Sequence, residues 1–217
     1  MKTPTDMIVG SLHKTNLCGV LVVVDYRNAD EVLVRFNETG YERLARAKHI
    51  RKGKVSDPFA RKVCGVGYIG IGDYSKTSGL DHKRIYSTWN SMLERCYSNK
   101  SLAKNPTYRG CSVCDEWQCL QSFAKWMIAQ DYKNKELDKD IKVSGNKVYS
   151  PITCLFVSRS ENTIAAHAKF FTFKSPSGEI VKIYNLSEFC RKNNLNIGNM
   201  SSVNRSKKRS HKGFTKA

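Results

Sequence analysis

Residues 136–162 read ELDKDIKVSGNKVYSPITCLFVSRSEN, and the fold turns on how this stretch is read. Its layout is strand, loop, strand and the start of a helix. A short acidic strand around Leu137 leads into a polar loop, where Gly145 and Asn146 suit a reversal of the chain. Strand formers then return in the segment up to Val157, and the run to Asn162 opens a helix. The first strand ends in Asp138, Lys139 and Asp140, and no histidine stands between Leu137 and Asn162.

The chain has 217 residues, 40% of them hydrophobic, enough for packed cores in one ordinary domain or in two to three small ones. Its net charge is +18, from 37 Lys and Arg against 19 Asp and Glu. Such an excess points to a polyanionic partner, because each cation set against a phosphate releases condensed counterions. Nucleic acid fits better than an anionic membrane, since no amphipathic lipid-facing helix accompanies the charge. The N-terminal MKTPTDMIVGSLHKTNLCG lacks the apolar core of a signal peptide, and Val20-Leu21-Val22-Val23-Val24 is strand-length, far short of a membrane span. A cytoplasmic location is expected, with the eight cysteines reduced. Cys111 and Cys114 form a CxxC that Cys96, Cys119 and Cys154 could approach. Cys96, Cys111, Cys114 and Cys154 would make a four-thiolate zinc site. With no second CxxC and no histidine at zinc-finger spacing, the reading taken is buried thiols.

Three units follow from pattern and charge: a β-rich module over 1–72, a central unit over 81–166 and a C-terminal unit over 168–217. The fold class is therefore α+β. In the first unit two β-branched runs, 20–26 and 31–36, read as a hairpin with the four-residue polar turn Arg27-Asn28-Ala29-Asp30, within a sheet of two or three strands. The glycines of Gly65-Val66-Gly67-Tyr68-Ile69-Gly70 precede a polar loop rather than a helix, so a phosphate-cradling loop is rejected for a strand leading into a linker. In the central unit Tyr86, Trp89, Met92, Leu93 and Cys96 recur at helical spacing. A second helix is expected over 118–130, with Leu120, Phe123, Ala124 and Met127 facing inward.

The last unit carries half of the net charge: 11 Lys and Arg against 2 acids over 167–217. FFTFKSPSGEIVKIYN reads as a hairpin turning at Pro176-Ser177-Gly178, followed by a helix capped by Ser187 and ended by Asn193-Asn194. A second helix fits NIGNMSSVNRSKK, with Leu186, Phe189, Leu195, Met200 and Val203 as the core between the two. Such a helix-turn-helix would present Asn199, Ser202 and Arg205 to base edges, with Lys207, Lys208, Arg209 and Lys212 on phosphates in a basic tail.

Three blocks carry a resemblance to phage-type HNH homing endonucleases. YSTWNSMLERCYSN with YRGCSVCDEWQCLQSFAKWM is similar to their helical lead-in, and ELDKDIKVSGNKVYSPITCLFVSRSEN to their ββα-metal core. SPSGEIVKIYNLSEFCRKNNLNIGNMSSVNRSKKRSHKGF resembles the intron-nuclease modular repeat, a helix-turn-helix appended to such enzymes. The resemblance implies a site on double-stranded DNA where a histidine activates water and Mg²⁺ or Mn²⁺ offsets charge on the phosphate. The histidine position falls on Lys139, or on Asp140 with a one-residue slip, and the orienting asparagine falls on Thr153. The helix ligand falls on Asn162, which matches, and Asp138 and Asp140 would complete the metal site. Loss of a well-placed base costs about two to four powers of ten in rate. His82 and His167 flank the unit as conceivable recruits. The expectation is a DNA-binding protein that is either a degenerate nickase or an inactive, HNH-derived factor binding DNA or host or phage proteins.

Overall fold

The computed structural model describes residues 3–75, 79–143, 145–167 and 169–217. Residues 76–78 of the polar loop, Ser144 of the turn, and Ala168, where the third unit was expected to begin, lie outside them. Helices and small sheets make an α+β fold, and the buried apolar side chains fall into three separate clusters. Among the described residues no helix is long and apolar enough to cross a membrane.

The first cluster lies under an antiparallel sheet in the order β1 (Leu12–Lys14), β2 (Val20–Asn28), β3 (Glu31–Phe36), β4 (Glu42–Ala45). Leu21 and Val23 of β2 and Val32, Val34 and Phe36 of β3 alternate onto one face, closed by Met7 and by Ala47 and Ile50 of α1 (Ala47–Arg51). The hairpin is as expected, but its turn is tighter. Asn28 pairs with Glu31, and its Oδ1 accepts the backbone N–H groups of Asp30 and Glu31 at 2.9 and 3.0 Å, which leaves only Ala29 and Asp30 in the loop. The sheet also gains strands beyond the two or three anticipated. β1 and β4 are edge strands with mostly exposed side chains, so no apolar alternation marks them in sequence.

The second cluster begins earlier than residue 72. Val63, Cys64, Val66, Ile69 and Tyr74 pack on the central core. The unit boundary therefore lies nearer residue 62, just after Ala60, the last residue of the first cluster. Gly67 explains the glycines here: a Cβ on it would run into Leu93 Cδ1 and stand 3.0 Å from Trp89 Cζ2. The chain thus lies directly on α2 (Gly79–Tyr97). Gly67→Ala is expected to destabilise this unit by about 1–3 kcal/mol through overpacking. Urea denaturation checks it, and an unchanged midpoint would show that the contact yields.

α2 buries Trp89, Met92, Leu93 and Cys96 as its spacing predicts, and α3 (Asn99–Lys104) follows, capped by Ser98. After β5 (Ser112–Val113) comes a short α4 (Asp115–Gln118), and the helix expected over 118–130 runs as the separate α5 (Leu120–Ile128). They break at Cys119, whose φ of −85° and ψ of 123° are extended. The cause is Tyr68, which runs alongside: its N–H donates to the Gln118 carbonyl at 2.9 Å, and its carbonyl accepts from Leu120 N–H at 3.0 Å. Leu120, Phe123, Ala124 and Met127 are buried as expected. Trp117 packs 4.4 Å from the Trp126 ring, so the tryptophans are core rather than base-stacking groups.

The rest of the central unit holds β6 (Glu136–Asp138), β7 (Val148–Tyr149), β8 (Leu155–Val157) and α6 (Arg159–His167). The third cluster lies under β9 (Phe171–Lys174), β10 (Ile180–Ile183), α7 (Leu186–Lys192) and α8 (Ile197–Asn204). Leu186, Met200 and Val203 are buried and Phe189 and Leu195 pack against them, as expected. The cap of α7 is Asn185 rather than Ser187: its side chain accepts from Glu188 N–H, which puts Ser187 inside the first turn. The basic tail is folded as well. β11 (Ser210–His211) and β12 (Phe214–Lys216) form a hairpin that adds to β9, giving the order β10-β9-β12-β11. Lys212 and Gly213, both at positive φ, make the two-residue turn, and Phe214 packs edge-on against Phe189 at 5.8 Å.

Candidate functional site

The ββα arrangement is built from β6, β8 and α6. β6 and β8 pair antiparallel, with Glu136 opposite Val157, Leu137 opposite Phe156 and Asp138 opposite Leu155. The connection between them is long because β7 is drawn away, pairing in parallel with β5 at Ser112 and Val113. Asn146 holds that connection together. Its amide donates to the carbonyls of Lys139 and Val148 at 2.9 and 2.7 Å, and its Oδ1 accepts from Val148 N–H at 3.1 Å. This is the turn role expected of it. Thr153, at the orienting-asparagine position, instead donates from Oγ1 to the Val148 carbonyl at 2.7 Å and shares a bond with Ser150 Oγ. It closes the second turn of the same loop.

Beside this unit opens a cleft of about 450 Å³, walled by residues of β6, the following loop, Tyr149, α6 and α2. Asp138, Lys139, Asp140 and Asn162 all line it, so the four positions singled out in sequence do come together. Their polar atoms, however, are largely engaged. Asp138 Oδ1 accepts the N–H groups of Asp140 and Ile141 at 2.8 and 2.7 Å, an Asx turn that bends the chain out of β6. Lys139 is buried, and its ammonium donates to Asp140 Oδ1 at 2.6 Å and to the Asn146 carbonyl at 2.7 Å. Asn162 Nδ2 donates to Glu136 Oε2 at 2.9 Å. That carboxylate partner fixes the amide, since only its NH₂ end can face Glu136, and Oδ1 is left as an acceptor.

The cleft offers carboxylate and amide oxygens of the kind that Mg²⁺ or Mn²⁺ takes, with water completing the shell. Among the described residues no group of three His, Cys, Asp or Glu side chains stands close enough together to hold a metal ion. His82 does not line the cleft. The His82 ring lies 5.0 Å from Tyr74, and His167 is the last residue of α6. All eight cysteines are free. Cys96, Cys111 and Cys154 are buried in the central core and Cys114 is half-buried beside them. Burial pushes Cys96 up to about 12 and Cys154 up to about 11 and also raises Cys114, so these thiols keep their protons and pack as small apolar groups.

Among the residues lining the cleft that the sequence alone did not single out are Glu136, Arg95, Tyr108 and Tyr149. Glu136 was overlooked because it opens the strand ahead of the expected site. Arg95 carried one faint signal, a cation at the border of the apolar stripe of α2, next to buried Cys96. Burial opposes the Arg95 charge, but the electrostatic pull of the adjacent Tyr149 oxygen outweighs this and holds it protonated. Burial also pushes the Tyr149 hydroxyl well above the usual phenol range, so it stays neutral.

The second candidate surface lies on the last unit. α8 starts at its cap Asn196, whose side chain accepts from Asn199 N–H. Met200 and Val203 face inward, and Arg205, Lys207, Lys208, Arg209 and Lys212 are exposed. Asn199 and Ser202 are half-buried. Asn199 Oδ1 accepts from Lys208 Nζ at 3.3 Å, and Ser202 Oγ donates back to the Gly198 carbonyl at 2.9 Å. Lys207, Lys208 and Arg209 follow α8 in the turn before β11, and Lys212 sits at the hairpin tip, its ammonium on the Asn194 carbonyl at 2.8 Å. The cations thus flank the end of α8 on ordered backbone. No family model, no curated protein and no solved structure matches the chain.

Proposed function

We propose that the protein binds double-stranded DNA through its C-terminal helix pair, as a protein of the HNH homing-endonuclease type. The observation that carries this reading is the exposed cluster Arg205, Lys207, Lys208, Arg209 and Lys212 around the end of α8, in a unit with 11 Lys and Arg against 2 acids. Backbone phosphates would take these cations, and Asn199, Ser202 and Arg205 would reach base edges in the major groove. The cleft beside β6, β8 and α6 would then lie along the sugar-phosphate backbone. The setting would be a reducing cytoplasm, in which free buried thiols persist.

For the cleft, slow Mg²⁺- or Mn²⁺-dependent nicking is the enzymatic reading, with Asp138, Asp140 and Asn162 as oxygen donors. A specific observation favours the rival, a binding factor without catalysis: Lys139 and Asp140 are tied to each other, and Lys139 to the loop. Incubating the protein with supercoiled plasmid and Mn²⁺ separates the two. Nicking that falls at least about tenfold in Asn162→Ala and Asp140→Ala supports the enzyme. Nicking unchanged in both variants removes the site assignment, and absence of nicking on any duplex selects the binding factor.

A further inference from the structure

Arg95 is the one cation of the cleft with no ion-pair partner among the described residues. The other, Lys139, is paired with Asp140 at 2.6 Å. The ion pairs of the described residues do not include Arg95. Its guanidinium lies 5.9 Å over the Tyr108 ring and beside the Tyr149 hydroxyl, and both tyrosines line the cleft with it. Tyr149 is only 1% exposed, a neutral phenol that supplies an acceptor oxygen but no negative charge.

The nearby carboxylates are held elsewhere: Glu136 by Asn162, Asp138 by two backbone N–H groups, and Asp140 by Lys139. A guanidinium carries five N–H donors in a planar fork. A half-buried cation left without an anion costs stability, which a structural role would not require. The same fork matches two oxygens of a phosphate, and Tyr108 beneath it supplies a π face that keeps the plane in place. With its proton retained, Tyr149 can donate its own O–H to an anion bound beside Arg95.

We propose that Arg95, held by Tyr108 and Tyr149, is a phosphodiester-binding subsite that takes the non-bridging oxygens of a nucleic-acid backbone phosphate. This deepens the DNA reading and rests on it. It also assigns a task to the cleft that is independent of cleavage, because the subsite needs neither a base nor a hydrolytic step. The cleft counts Glu136, Asp138 and Asp140 against Arg95 and Lys139. One surplus negative charge remains, so a divalent cation is expected to strengthen phosphate binding.

The test uses the full chain, with thymidine 3′,5′-bisphosphate as the probe, inorganic phosphate as the control, and Ca²⁺ present. Calorimetric titration is expected to show the bisphosphate bound at least about tenfold more weakly by Arg95→Met, the loss of a charge-assisted bidentate contact. Arg95→Lys should recover part of the affinity. Thermal unfolding supplies the readout that a structural arginine would move the other way. Replacing an uncompensated charge with an apolar chain of similar length should leave the Tm of Arg95→Met at or above that of the wild type. Equal affinity in Arg95→Met overturns the subsite. So does a fall in its Tm of several degrees, since the two tyrosines would then be all that the guanidinium needs. Inorganic phosphate bound as tightly as the bisphosphate overturns the nucleic-acid assignment. A wild type that binds bisphosphate but retains no duplex sinks the DNA reading of the C-terminal unit instead, so the two failures are distinct.

Discussion

Trp89→Ala is expected to cost about 3–5 kcal/mol, the range for deleting a fully buried aromatic side chain. Trp89 is completely buried and central to the largest core cluster, and its Nε1 donates to the Trp117 carbonyl at 2.7 Å. Gly67 lies on its ring edge, and Tyr86 packs 5.8 Å from it. Truncation would therefore open a cavity that three elements cannot close together, and would also orphan a carbonyl. Against a typical domain stability of about 5–15 kcal/mol, this is a large fraction of the total. Trp89→Phe keeps most of the packing and loses the hydrogen bond, so about 1–3 kcal/mol is expected there. Urea denaturation followed by circular dichroism measures both, and similar midpoints for the two variants would show that the hydrogen bond outweighs the packing.

The second large effect belongs to the basic cluster. Replacing Lys207, Lys208 and Arg209 with Gln removes three exposed cations that follow α8 and precede β11. None of them supports the core, so the fold should be unaffected. If each neutralises one phosphate, the slope of log K against log salt becomes shallower by about 2.7, from about 0.9 per contact. Retention of a duplex at moderate salt should then fall by roughly two powers of ten, a steep effect because phosphate contacts dominate affinity. Fluorescence anisotropy at several salt concentrations reads this directly. A triple variant with the wild-type slope would place the DNA on another face.

What could be read in the sequence, and what could not, divides along physical lines. The helical stripe of Trp89, Met92, Leu93 and Cys96, the β2–β3 hairpin and the Leu186–Met200–Val203 core were visible because burial on one face leaves a period in the sequence. β1 and β4 left none, being edge strands with little buried. The Lys212-Gly213 turn of the last hairpin was hidden inside a basic run that read as a tail. The break at Cys119 came from Tyr68, which is far away in sequence. In the cleft, Asp138, Lys139, Asp140 and Asn162 were found by position along one strand and one helix, and they share a wall as expected. Their bonds could not be foreseen, because the loop that ties Lys139 to Asn146 is closed by contacts across the connection. Arg95 and Tyr149 come from α2 and β7, and only the parallel pairing of β7 with β5 sets Tyr149 facing the helix.

The claim that the C-terminal unit grips duplex DNA is tested most directly by a salt titration of the full chain on a short labelled duplex. Arg205, Lys207, Lys208, Arg209 and Lys212 are five exposed cations, which predicts a log–log slope of about −4.5 if each meets a phosphate. A slope shallower than about −1, or no retention even at low salt, would contradict the account.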